Sequence, residues 1–232
     1  MTDPIFAPLV GSRQICLLDK SVCRLENETR QRIFGMADHT ADIADIGRGS
    51  SARNRVLDTA TRLFYAEGVH AVGVDRIIAE AGVAKATFYK YFPAKDELVR
   101  AYVQNQSRLG RAATDRIGKR PARDMILAIF DLVADAAAQP GYRGCPFLNA
   151  AAEYPDPGHP VRQAIGEHRR WKHDLLRGLL ADDGNPDPET AADILTVAGD
   201  GLLIASHLDK PANLRRLIRE TVLQILGPSA GR

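Results

Sequence analysis

The chain has 232 residues, 45% of them hydrophobic and 26% charged, enough apolar material for a substantial core in one large domain or two small ones. Its net charge of +2 is too small to define a partner, so any surface for a polyanion has to be local. Cys16, Cys23 and Cys145 form no CxxC pair, which argues against a disulfide framework or a cysteine-rich zinc site and suits a cytoplasmic protein; the absence of a continuous apolar run of about 18 residues argues against a membrane partner.

Residues 1–50 mix Pro, Gly, charges and isolated apolar residues without steady periodicity. They read as an unstructured leader, and Met36 is an alternative natural start. The N-terminus also lacks the basic-then-apolar order of a signal peptide. From Ser51 the pattern becomes helical. Val56, Leu57, Ala60, Leu63 and Phe64 share one face, and Gly68 ends that helix. "VDRIIAEA" predicts a second helix closed by Gly82. "AKATFYKYF" predicts a short third, stopped by Pro93. A fourth starts near Lys95 and carries Leu98, Val99, Tyr102 and Val103.

After "GKRPARD" the pattern restarts. "MILAIFDLVADAAAQ" predicts an apolar helix ended by Pro140 and Gly141, and "CPFLNAAAEY" a short one broken by "PDPGHP". "VRQAIGEHRRWKHDLLRGLLA" is long and amphipathic. "ETAADILTVAGDGLLIASHL" and "NLRRLIRETVLQIL" close the chain. No alternating β-branched run and no internal repeat is visible, so the fold class is all-α.

The stretch "GVAKATFYKYFPAK" carries the strongest functional signal. A glycine turn of about three residues between two helices is the spacing of a helix-turn-helix. Gly82 supplies the positive φ of that turn, and Val83 packs into the angle. The second helix is too short to persist alone, so Phe88 and Phe92, at i and i+4, have to anchor it. Lys85, Thr87, Tyr89, Lys90 and Tyr91 then face outward, offering cations and hydroxyls with no carboxylate among them. Lys95, at the start of the next helix, sits where a cation is disfavoured unless a phosphate is the target. DNA requires donors to phosphate for position and donors or methyls to base edges for sequence.

With these residues in place, the segment from Arg53 to Val103 resembles the N-terminal domain of TetR-type bacterial transcriptional regulators. It carries that pattern's "LF…EG", "I..AGV" and "T.Y.YF..K..L". The resemblance implies that the third helix enters the major groove. It also implies that a dimer reads a near-palindromic operator in double-stranded DNA. It maps Lys85, Thr87, Tyr89, Lys90, Tyr91 and Lys95 to the surface that touches DNA, and Arg53 and Arg55 to the arm before the first helix. Gly73 departs from the pattern, which often has a capping Thr at that position.

The last two helices, about 188–226, are the candidates for homodimerisation. One is apolar nearly all round and has a stripe of Ala198, Gly201 and Ala205. The other has Leu214, Leu217, Ile218, Val222 and Ile225 on one face and Arg215, Arg216 and Arg219 on the opposite one. The resemblance pairs these helices with their mates in a four-helix bundle. "GCPFLNAAAEYPDPGHPVR" resembles the signature of a TetR subgroup. It points to Cys145, Phe147, Asn149, Glu153 and Tyr154 near a pocket for an unknown small-molecule effector, with Phe130 and Trp171 as walls. Asp200, an acid in an apolar helix, needs a partner.

The expected organisation is a leader (1–50), a three-helix helix-turn-helix DNA-binding domain (51–97) and a helical bundle for effector binding and dimerisation (98–232). The expected function is that of a ligand-responsive repressor. The alternative is a helical-bundle ligand-binding protein or enzyme without DNA binding. No GxSxG, P-loop, HExxH or GxGxxG supports an enzyme. His159, His168 and His173 lack the spacing of a metal site, and no cofactor is implied.

Overall fold

The computed structural model describes residues 51–228, and the readings of residues 1–50, including Met36, Cys16 and Cys23, lie outside them. Among the described residues there are nine α-helices and no strand. They are α1 (Ala52–Glu67), α2 (Val74–Ala81), α3 (Lys85–Tyr91), α4 (Lys95–Arg116), α5 (Ala122–Ala137), α6 (Pro146–Glu153), α7 (Pro160–Asp182), α8 (Pro188–Leu208) and α9 (Leu214–Leu226). Each helix predicted from periodicity is present.

Local chemistry sets the boundaries. Ser51 caps α1, its Oγ accepting from the Asn54 N–H at 3.3 Å. Pro opens α6, α7 and α8 at the first helical position, where a missing N–H is harmless. Gly82 follows α2 in the left-handed region, φ 61° and ψ 43°, and its N–H bonds back to Ile78 and Ala79 carbonyls.

The apolar faces form two main cores. The first gathers α1, α2, α3 and the start of α4 around Val56, Leu63, Ile77, Phe88 and Leu98, and continues into α6 and the first turns of α7 through Phe147, Ala150, Val161 and Ile165. The second joins α5, the end of α7, α8 and α9 around Ile126, Leu176, Leu195, Ile218 and Val222. α4 and α7 pack along each other and bridge the two.

α8 is long and apolar enough, by length and composition, to cross a membrane. Here one flank packs on α7 and α9, and its acids are paired: Asp193 with His173 at 3.0 Å and Asp200 with Arg169 at 2.8 Å. Asp200 thus has the partner its position demanded. The outer flank stays open: Val197 is 72% exposed and Leu208 70%, joined by Ile194, Ile204, and Leu217 and Leu223 of α9. Nothing lies within 4 Å of where a Gly201 Cβ would stand. Arg215 and Arg219, read as an outer face of α9, bridge instead to Asp131 and Asp135 of α5.

A candidate nucleic-acid surface and an apolar cavity

Seven residues of α3 cannot hold a helix in water unaided. Phe88 is fully buried and Phe92 nearly so, with ring centroids 6.1 Å apart. Burying two phenylalanines contributes on the order of 4 kcal/mol, which fixes α3 against α1, α2 and α4. An ion-pair network holds α2 to α1: Arg76 reaches Glu67 at 2.6 Å and Glu80 at 2.8 Å, and Arg62 also pairs with Glu80.

On this base Tyr89, Lys90 and Tyr91 are exposed and Thr87 is half-buried. Lys85 is also exposed, but its ammonium is held by Asp75 of α2 at 3.1 Å, which raises its pKa. Lys95 begins α4, where Ala94 supplies no side-chain cap, and burial lowers its pKa. Arg53 lies with its guanidinium 5.3 Å from the Phe92 ring centroid. Gly73 caps α2 with no side-chain hydrogen bond, as its lack of a hydroxyl dictates.

Behind this head, α4, α5, α6, α7 and α8 surround a cavity of about 170 Å³. Leu132, Val133, Phe147, Trp171 and Leu175 form much of its wall, and Cys145 borders it. The His168 ring stacks on Phe147 at 3.8 Å with 6° between planes, and its Nδ1 lies 3.1 Å from Ser107 Oγ. Burial, reinforced by Lys172, Arg111 and Arg169, lowers the His168 pKa to about 4. Burial also raises the Cys145 thiol pKa and lowers that of the Lys172 ammonium. Of the seven residues predicted for the pocket, Cys145, Phe147 and Trp171 line it. Phe130 backs it from behind Lys172, whose Nζ lies 5.8 Å from the ring centroid.

Asn149 and Glu153 look elsewhere. Glu153 accepts the Val69 N–H at 2.7 Å and the His70 N–H at 2.6 Å, in the loop between α1 and α2. Asn149 Nδ2 donates to the Arg143 carbonyl at 2.9 Å. Arg143 in turn donates its N–H to Tyr65 Oη at 2.8 Å and its guanidinium to the Tyr65 and Ala66 carbonyls. Tyr65 Oη donates to the Gly144 carbonyl at 2.9 Å, and Tyr154 Oη donates to Asp96 at 2.9 Å. One face of α6 therefore borders the cavity while another grips the loop after α1, reaches α1 through Arg143 and, with Tyr154 just past its end, holds the start of α4. Sequence reasoning missed Gln106, His168 and Lys172 as cavity residues; each sits on a helix whose polar residues read as solvated.

This geometry defines a helix-turn-helix protein with a basic, aromatic short helix and a separate, half-open cavity. Residues 56–102 match the model of bacterial regulatory proteins of the tetR family, and residues 122–221 match the tetracyclin repressor-like C-terminal domain. The crystal structure of SCO4454, a TetR-family transcriptional regulator from Streptomyces coelicolor, is 43% identical with a TM-score of 0.72, covering 75% of this chain and 94% of that one. The TetR transcriptional regulator sav143 from Streptomyces avermitilis is 30% identical with a TM-score of 0.70, covering 76% and 97%. The HTH-type transcriptional regulator YjdC of Escherichia coli is 23% identical over 154 residues, 65% of this chain and 81% of its own. The chain belongs to the TetR family. It is a DNA-binding transcriptional regulator, and its relatives are regulators rather than enzymes.

Proposed function

We propose that the protein is a cytoplasmic repressor that binds a near-palindromic operator as a homodimer and releases it when a small molecule occupies the cavity. Residues 51–97 read DNA, and residues 98–232 sense the effector and dimerise. The observation that carries the reading is α3, whose exposed Tyr89, Lys90 and Tyr91 stand on a fully buried Phe88. Lys85, Thr87, Lys95 and Arg53 extend that surface toward phosphates. The exposed apolar flank of α8 and α9 supports pairing of two copies, since a patch of that kind on a lone chain is unfavourable in water. Two heads would then meet half-sites about one helical turn apart.

Release follows from α6. A ligand that displaces Phe147 moves the same eight-residue helix whose Glu153 holds the loop after α1 and whose flanking Arg143 holds α1. The ligand would thereby favour a conformation in which the two heads no longer match the operator. Gel-shift titration against the region upstream of the gene tests the reading. Lys90→Ala and Tyr91→Ala are each expected to weaken binding by about 1–3 kcal/mol, and Lys90→Ala to reduce the salt slope by about one phosphate. Unchanged affinity in both variants would remove α3 from the interface.

A further inference from the structure

The cavity contains two polar groups that the fold leaves unanswered. Gln106 is 2% exposed, and neither oxygen nor nitrogen of its amide has a hydrogen-bond partner. Lys172 brings an ammonium to the same cavity, and among the described residues no carboxylate reaches ion-pairing distance of it. The acids near it are already engaged: Asp200 with Arg169 at 2.8 Å, and Asp135 with Arg215 at 2.5 Å. Phe130 offers Lys172 only the face of a ring. Gly199 makes room for this arrangement, because a Cβ there would stand 3.3 Å from both Lys172 Nζ and the Phe130 ring.

A buried amide without partners and an ammonium whose acid neighbour Asp200 is bound to Arg169 are both unfavourable, and both are remedied by one kind of guest. A carboxylate accepts hydrogen bonds from an ammonium and an amide N–H₂ together. Thr114, Asp135, His168, Arg169 and Asp200 also reach the wall, and most of its remaining surface is apolar. Its volume of about 170 Å³ is comparable with the ~150 Å³ apolar cavity known to hold benzene. We propose that the effector is a small monocarboxylate with a single-ring or short-alkyl body, its carboxylate received by Lys172 and Gln106 and its body by Phe147 and Trp171. This identification rests on the cavity being the effector site.

Calorimetric titration of the full chain tests it, with benzoate, phenylacetate and hexanoate set against their neutral amides and against benzylamine. At least one acid is expected to bind about tenfold or more tightly than its amide. Lys172→Met should erase that preference, leaving the amide bound at least as well, whereas Lys172→Arg should keep it. Circular dichroism establishes that both variants fold. Should Lys172→Met fail to fold, Gln106→Leu is expected to weaken the acid by about tenfold while sparing benzylamine. An amide or amine that matches the acid overturns the ligand class, as does a panel from which nothing binds. So does borohydride trapping of benzaldehyde on Lys172 without any acid preference, because the side chain would then act as a free amine. Operator release in the same titrations separates the two readings. A preferred acid that leaves DNA bound upholds the ligand class and removes the effector role; a preferred amide that releases DNA does the reverse.

Discussion

His168 shows how one buried ring can couple stability to acidity. Its pKa is about 4 in the folded chain, against 6.5 for an unperturbed imidazole. Between those values the unfolded chain binds the extra proton, so folding weakens as pH falls. The contribution is complete above about pH 6.5, declines toward pH 4 and is level below it. The full span corresponds to on the order of 3 kcal/mol. Urea titrations at pH 7 and pH 4.5 are expected to show a larger loss for the wild type than for His168→Phe, which keeps the stack on Phe147 but cannot titrate. Equal losses would place the acid sensitivity in other groups. Nothing in the sequence distinguishes His168 from His173, five residues on, which pairs with Asp193 at the surface. Both lie in the charged run "HRRWKH", and only packing separates the ring that stacks on Phe147 from the one that meets Asp193.

At the scale of elements, α6 is the helix whose two faces have to be read together. The periodicity places Asn149 and Glu153 on a common face, and the structure keeps them there. What the pattern cannot tell is which neighbour that face meets. The pair reads as pocket polarity, yet it meets the backbone N–H groups of Val69 and His70 and the carbonyl of Arg143. Gly68 completes the contact: with φ at 94° it turns the chain there, and a Cβ would crowd Glu153 at 3.2 Å. Glu153→Gln can satisfy at most one of the two N–H groups through its remaining oxygen. It is expected to destabilise the chain by about 1–3 kcal/mol. It should leave effector affinity within about twofold while blunting effector-induced release of DNA. Calorimetry and gel shift on the same preparation would reveal a pure stability effect if release were unimpaired. By contrast, α3 was legible in detail, because glycine turn, aromatic anchors, proline stop and missing acids each have a local cause. Lys85 is the exception, since its tie to Asp75 spans ten residues and two helices.

For the whole molecule, the proposed homodimer rests on the open flank of α8 and α9. Val197 and Leu208 contact little in the single chain, so replacing them should change monomer stability by no more than about 0.5 kcal/mol each. The double variant Val197→Glu, Leu208→Glu is expected to sediment as a monomer with unchanged helical content. It should lose most of its operator affinity, since one head alone reads too few bases. A dimer that survives both charges would place the interface on another surface. The helix count and order followed from hydrophobic periods and from Pro and Gly punctuation. The cavity did not, because it is formed by residues from five helices whose spacing is set only once they pack.

The division of α6 between two neighbours also bears on how such a protein diversifies. Phe147 and Cys145 can be exchanged to suit a guest of different outline while Glu153 and Asn149 keep their backbone partners. On the proposed reading, chemical preference and transmission lie on separate sides of one short helix. Descent can alter what is sensed without rebuilding how the news is passed on.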